Sequence, residues 1–210
     1  QQKCEFGSML NSQLRMPPPI NDTLVFSPSG LFTIHYDTVG VDAPNLVDLN
    51  LNGIPDYVDS VGITIDYVRT IICYVMGYRE VPATNEPAYP IYISNRNSGS
   101  YGVNWGSNDS LGMLLGWIEI DNNYSNGFYT SGIKAMQVTV AHEYFHAVQR
   151  KYKEPTIIDQ VSTVFFHEFS STWIEDVIFP DNNDYIYWTD DFYIYPTTIF
   201  EETDGYSVSS

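Results

Sequence analysis

The sequence predicts a single α+β domain in which a small mixed β-sheet precedes two consecutive helices. Short runs of β-branched and aromatic residues predict strands, and longer segments with apolar residues three and four apart predict helices. These elements do not alternate strictly, which favours an α+β fold over a doubly wound sheet. The length of 210 residues suits one large domain with a short appendage.

The first part of the chain is predicted to contain an arm, a strand and a helix. Residues 1–28 are expected to form an irregular N-terminal arm, because Pro17-Pro18-Pro19 cannot be helical. A strand follows over 31–40, and apolar periodicity predicts a helix over 57–76. The folded domain is therefore expected to span 29–210.

Two strands and two helices are predicted further along the chain. The strands lie at 90–94 and 114–120, and the segment between them, 95–110, is rich in Gly, Ser and Asn and reads as a loop long enough to be functional. Helical spacing then predicts helices over 133–152 and 159–179, the second one capped by its first residue, Asp.

The charge balance excludes several classes of partner. Acidic residues outnumber basic ones by 26 to 9, for a net charge of −17, although charged residues make up only 17% of the chain. Without a basic stripe, binding to nucleic acid or to an anionic membrane surface is not expected, and cations are the more natural ligands. We expect no membrane insertion, because no apolar run is long enough to span a bilayer.

Residues 142–146 read His-Glu-Tyr-Phe-His, which is the pattern HExxH. On a helix this spacing places His142 and His146 on one face, within reach of a single metal ion. Imidazole suits Zn²⁺, which activates water as a Lewis acid, and the adjacent Glu143 can take up the proton as a general base. The alternative is that these three residues fall on one helix by chance.

A carboxylate is expected to complete the zinc site. The longer pattern HExxHxxGxxH is excluded, because Gln149 and Tyr152 occupy its Gly and His positions. Glu168, on the next predicted helix, can return to the metal, and two His with one Glu leave a position open for water. Glu175 and Asp176 are candidates to orient a ligand histidine, the alternative being that they are solvated helix carboxylates.

Residues 48–59 fit the twelve-residue pattern of a calcium-binding loop. Oxygen-bearing side chains stand at loop positions one, three, five, nine and twelve, and a backbone carbonyl serves position seven. The six candidate Ca²⁺ ligands are Asp48, Asn50, Asn52, the Ile54 carbonyl, Asp56 and Asp59. The alternative is a polar turn without metal.

The two cysteines, Cys4 and Cys73, lie far apart and form no CxxC pair. One long-range disulfide would join the arm to the first helix, and two buried free thiols are the alternative. The chain begins at Gln1 without a start Met, so we expect that export has removed a signal peptide and that the protein is secreted.

Two segments, AHEYFHAVQ at 141–149 and HEFSSTWIED at 167–176, resemble the gluzincin class of zinc metalloproteases. The runs PSGLFTIHY, DLNLNGIPDYVD, GWIEIDNNY and WIEDVIFPDNNDY extend the likeness over about 28–185, to a group of secreted bacterial metalloproteases. The resemblance implies a zincin-like fold with an active-site HExxH helix and a ligand-bearing second helix. It also implies that the zinc ligands are His142, His146 and Glu168 and that the catalytic base is Glu143.

We therefore expect a secreted zinc metallopeptidase that hydrolyses peptide bonds in protein or peptide substrates. The strand 114–120 is expected to pair with an extended substrate, with 98–110 at the rim of the cleft. Because few residues follow Glu168, self-association or a further C-terminal segment is expected to complete the cleft. The alternative function is a calcium-stabilised extracellular structural or adhesive subunit whose protease site is vestigial or self-processing.

Overall fold

The structure is a computed structural model that describes residues 17–81, 88–96, 100–108, 114–125, 128–152 and 161–188. Within these ranges the chain forms one five-stranded sheet and three α-helices, so the predicted mixed α+β class is confirmed. The strands are β1 (Thr23–Phe26), β2 (Phe32–Tyr36), β3 (Tyr89–Ser94), β4 (Gly102–Asn108) and β5 (Leu114–Asp121). The α-helices are α1 (Asp56–Arg69), α2 (Gly132–Gln149) and α3 (Val161–Ile178).

The sheet has the strand order β1-β2-β3-β5-β4. The three inner strands run parallel to one another, and β1 and β4 pair antiparallel at the two edges. Parallel strands lie inside a sheet whose faces are covered, so their sequences are nearly continuous apolar runs. The fully buried isoleucines of the inner strands fit this position: Ile34, Ile91, Ile93, Ile118 and Ile120.

Helix α2 is the central element of the helical layers. It packs across β4 and β5, has α1 at its side, and is contacted by α3. Every residue from Val138 to Val148 is buried, because the helix has neighbours on nearly all sides. The HExxH pentad therefore lies between the sheet and a second helix.

The expectation of an irregular arm over 1–28 is wrong at residues 23–26, which form β1. The run Thr-Leu-Val-Phe suits a strand, and pairing with β2 from Thr23↔Tyr36 to Phe26↔Thr33 provides the backbone partners. Four residues beside a proline run are too short a pattern to identify without that partner strand.

The expectation that 95–110 is entirely a loop is also wrong, since β4 occupies Gly102–Asn108. Gly102, Asn104 and Gly106 break the apolar pattern there, and their cross-strand partners put them on the helix-facing side of the sheet. A Cβ at position 102 would lie 2.5 Å from the Thr139 Cγ2 atom of α2. Contact with α2 thus requires small residues that, read alone, indicate a loop.

The predicted strand 114–120 corresponds to β5, but β5 is not an edge strand. It lies between β3 and β4 and pairs with both, so its backbone groups are already used in the sheet. The strand that pairs on only one side at this end of the sheet, among the described residues, is β4.

The predicted helices are present, with adjusted ends. The first is α1 followed by a π-helical turn at Thr70–Val75, and the second is α2 followed by a short 3-10 turn at Arg150–Tyr152. The third is α3, and its predicted capping residue, Asp159, lies outside the described residues. Among the helices that the structure describes, none has both the length and the apolar character needed to cross a membrane.

Candidate metal centre

Helix α2 presents its two histidines to one point in the protein interior. His142 and His146 are four residues apart, their Nε2 atoms are 3.0 Å apart, and their side chains are almost fully buried. One helical turn separates the two residues, so their rings project from the same face. The tight packing of α2 leaves both rings little freedom to turn away.

Helix α3 adds a carboxylate to the two histidines. Glu168 places Oε2 3.2 Å from His142 Nε2 and Oε1 3.6 Å from His146 Nε2. In the part of the chain that the structure describes, these three residues are the one group of His, Cys, Asp and Glu whose donor atoms all lie within 4.8 Å of one another. The predicted ligand set is thus brought together by α2 and α3.

The outer nitrogen of each histidine ring has its own partner. His142 Nδ1 lies 2.6 Å from Glu175 Oε1, and because an ionised carboxylate only accepts, the imidazole donates there. His146 Nδ1 contacts Gln149 Oε1 at 2.8 Å and Ser171 Oγ at 3.1 Å. Both Nε2 atoms are thereby turned toward Glu168, which is the arrangement in which metal-binding histidines are usually held.

The donor set fits a divalent metal. In a tetrahedral zinc site with bonds of about 2.0–2.2 Å, donor atoms are about 3.3–3.6 Å apart. The two histidine Nε2 atoms are 3.0 Å apart, one Glu168 oxygen lies 3.2 Å from His142 Nε2, and the other lies 3.6 Å from His146 Nε2, so a small opening of the histidine pair would match a zinc site. Glu168 Oε1 is buried and has no hydrogen-bond partner. A buried oxygen in that state is costly, and a cation between the three residues would satisfy it.

The electrostatics of the cluster favour a positive charge at its centre. Burial lowers the pKa of His142, but the carboxylates of Glu168 and Glu175 outweigh burial and raise that pKa to about 10. Burial lowers the pKa of His146. Burial also raises the pKa of Glu168, but the two histidines outweigh it and bring that pKa down to about 2. A proton and a metal cation would therefore compete for the same place.

Glu143 lies on the side of α2 that faces the edge strand. Its side chain is buried, and its Cγ atom would be 3.2 Å from a Cβ at Gly102 of β4. It is also close enough to His142 to help raise the pKa of that residue. Glu168 and Glu143 thus occupy different positions, Glu168 beside the two Nε2 atoms and Glu143 between α2 and β4.

Asp176 and the remaining histidines take no part in the cluster. Asp176 is half-buried on α3, and among the described residues the carboxylate bonded to His142 Nδ1 is that of Glu175. His35 lies in β2 and stacks on Tyr92 with ring centroids 4.4 Å apart. His167 bonds Gln149.

Two polar residues at the end of α2 and one in β4 make contacts around the site that the sequence does not indicate. Gln149 connects α2 to α3, as described below. Arg150 donates from Nη2 to the Asn104 backbone oxygen at 2.7 Å and from Nη1 to Asn104 Oδ1, and Asn104 Nδ2 donates to Tyr89 Oη at 3.0 Å. These bonds tie β4 to the helix that carries the histidines. A lone Arg after a helix or an Asn in a Gly-rich run gives no such signal in sequence.

Only one of the two cysteines of the predicted disulfide lies within the described residues. Cys73 is buried and forms no disulfide with a residue in the described ranges, and its Sγ atom lies 3.6 Å from Tyr144 Oη. Cys4 lies outside the described residues. The pairing of these two cysteines stays a prediction.

The predicted calcium loop is a tight polar turn. Gly53 has a left-handed backbone with φ of 88°, and its N–H donates to Asp48 Oδ2 at 2.8 Å. The amides of Asn50 and Asn52 both donate to Asp59 Oδ2, at 3.0 and 2.7 Å, and Asp56 accepts from the backbone of Leu49. The loop carboxylates form no group of donor atoms within 4.8 Å of one another. Calcium binding by this loop stays a prediction.

Calcium is expected to stabilise the protein through this loop. At ten to a hundred times Kd a ligand stabilises the folded state by about 1.4–2.7 kcal/mol, which corresponds to a rise in Tm of roughly 3–10 °C for a chain of this size. Scanning calorimetry of the protein with Ca²⁺, with Mg²⁺ and without either measures the shift. In Asp48→Asn, which keeps an oxygen acceptor but loses the charge, the shift should shrink; equal shifts in both proteins would rule out this loop.

Comparison with family models, with curated proteins and with solved structures finds no match for this chain.

Proposed function

We propose that the protein is a zinc-dependent metallopeptidase with a zincin-like fold. The observation that carries the proposal is the convergence of two histidine Nε2 atoms and one buried carboxylate at 3.0–3.6 Å. The Nδ1 atoms of both rings already have partners elsewhere. Two His and one Glu form a catalytic rather than a structural zinc set, since they leave one coordination position for water or substrate.

Each residue around the centre has its own role in the proposed reaction. A bound Zn²⁺ supplies Lewis-acid activation of the attacking water and of the scissile carbonyl. Glu143 takes the proton from that water and delivers it to the leaving amine. Glu168 cannot share this role, because it faces the two histidines, whereas Glu143 lies beside β4. Glu175 holds the His142 ring by accepting its Nδ1 proton.

The substrate class follows from the strand beside Glu143. Strand β4 is an edge of the sheet among the described residues, and a peptide in extended conformation can add to such an edge through main-chain hydrogen bonds. The strand that would pair with an extended substrate is therefore β4 instead of β5. The proposal places the enzyme outside the cell, in keeping with the acidic composition and the predicted calcium loop.

The test is the metal content and the peptidase activity of the purified protein. Elemental analysis before dialysis should find about one zinc per chain. Hydrolysis of an unstructured protein such as casein should stop when a chelator removes the metal and return when Zn²⁺ is restored. A protein that takes up no zinc under zinc-replete conditions would contradict the proposal.

A further inference from the structure

The side chain of Gln149 lies at the junction of the two helices that supply the donor atoms. It is the last residue of α2, and it reaches the turn of α3 just before and after Glu168. Its Nε2 atom lies 2.9 Å from the His167 backbone oxygen and 2.9 Å from Ser170 Oγ. Its Oε1 atom lies 2.8 Å from His146 Nδ1 and 2.8 Å from His167 Nδ1.

The orientation of this amide follows from its neighbours. A backbone carbonyl only accepts, so the nitrogen end of the Gln149 amide must face the His167 carbonyl. Ser170 agrees with this orientation, because its hydroxyl lies 2.5 Å from the Phe166 carbonyl, donates there, and can accept from Gln149. The oxygen end of the amide must then face the two histidine rings.

The amide orientation in turn fixes the tautomer of His146. An amide oxygen only accepts, so His146 Nδ1 must carry the proton that it donates to Gln149. An imidazole that binds a metal is neutral and carries a single ring proton, and the acceptor at Nδ1 determines which nitrogen holds that proton. With that proton on Nδ1, the Nε2 lone pair faces Glu168 and His142.

We propose that Gln149 is a positioning residue of the metal centre, which holds His146 in its Nδ1–H form under the control of the His167 backbone carbonyl. This inference rests on the proposed function, since it assigns a role at the proposed metal. The tautomer of His146 on α2 therefore depends on the packing of α3 against α2. Helix α3 supplies both the His167 carbonyl and, one residue later, Glu168. The two helices prepare the site together.

The asymmetry between the two histidines supports the assignment. His142 is oriented by a carboxylate, which accepts in any orientation, and therefore needs no further control. His146 is oriented by the Gln149 amide, which could present either its oxygen or its nitrogen. The His167 carbonyl of α3 binds the nitrogen, so the oxygen faces His146. Ser171 Oγ, 3.1 Å from His146 Nδ1 and 3.2 Å from Gln149 Nε2, closes the same network.

The experiment compares Gln149→Met with the wild type. Methionine keeps the length and flexibility of the side chain but has no amide. Zinc affinity, measured by competition with a chromophoric chelator, should fall by about 10- to 100-fold, the usual effect of losing a partner of a metal-binding histidine. Gln137→Met is the matched control: it lies on the same helix, its Oε1 accepts from Asn182 at 3.3 Å, and its zinc affinity should match that of the wild type.

A second measurement needs no metal. Long-range ¹H–¹⁵N spectra of the metal-free protein should show His146 with its proton on Nδ1 in the wild type and in Gln137→Met, and a loss of that preference in Gln149→Met. Gln149→Glu keeps an acceptor for His146 and should retain the Nδ1–H form. If Gln149→Met does not fold, Gln149→Glu carries the test, and loss of the Nδ1–H form of His146 in that variant would overturn the role of Gln149.

The outcomes separate the two claims. A wild type that binds no zinc would overturn the proposed function, and with it any role of Gln149 at a metal. A wild type that binds zinc, with unchanged zinc affinity and an unchanged His146 tautomer in Gln149→Met, would overturn the role of Gln149 alone.

Discussion

Replacing Glu143 with Gln is expected to lower the rate of peptide hydrolysis by about 10²- to 10⁴-fold, the usual contribution of a general base, and to leave the zinc content unchanged. The amide has nearly the same shape as the carboxylate but cannot accept the proton of the attacking water. Glu143 lies between α2 and β4 and is not one of the three converging donors, so the metal should stay bound. The measurement is kcat/KM for a fluorogenic peptide, alongside elemental analysis.

The matched control is Glu80→Gln, the same change at an exposed glutamate that pairs with Arg69. It should hydrolyse peptide at the wild-type rate. Full activity in Glu143→Gln would show that another group is the base. A wild type that binds zinc, assembles and never cleaves would favour a calcium-stabilised extracellular scaffold with a vestigial site.

Replacing His146 with Ala is expected to reduce bound zinc from about one ion per chain to less than about a tenth of one, because one of the three proposed protein ligands is lost. A ligand present at a thousand times its Kd stabilises the folded state by about 4 kcal/mol. Removing zinc from the wild type should therefore lower Tm by roughly 8–16 °C, whereas the Tm of His146→Ala should not respond to zinc. Elemental analysis and calorimetry measure the two effects.

His35→Ala provides the comparison, because His35 stacks on Tyr92 in the sheet and is not in the metal centre. It should retain zinc and the zinc-dependent rise in Tm. If His146→Ala still bound zinc with wild-type stoichiometry, the assignment of the metal ligands would be wrong.

Much of the helical half of the molecule could be predicted from sequence, because its signals are local. The spacing of His142 and His146 is meaningful on any helix, and the heptad from Glu168 to Glu175 places both carboxylates on one side of α3. The structure brings Glu168 to the two histidine Nε2 atoms and Glu175 to His142 Nδ1. Neither position depends on a distant strand.

The features that sequence reasoning missed depend on distant partners. Strand β4 is built around Gly102 and Gly106, which are small because α2 and Arg150 lie against them, and a Gly-rich segment read alone indicates a loop. In the sequence Gln149 stands out only as a departure from a longer zinc motif. Its role rests on the His167 carbonyl, a backbone group that no residue pattern reveals.

The burial of α2 on nearly all sides has a consequence for mutational scanning. From Val138 to Val148 every side chain is buried, so most substitutions there would lower the free energy of unfolding through cavities or overpacking. In a screen that scores function alone, substitutions in the HExxH pentad and substitutions at its buried apolar neighbours would both cause loss of function. Only a paired screen, in which protein abundance is scored beside activity, would separate residues that perform chemistry from residues that fill space.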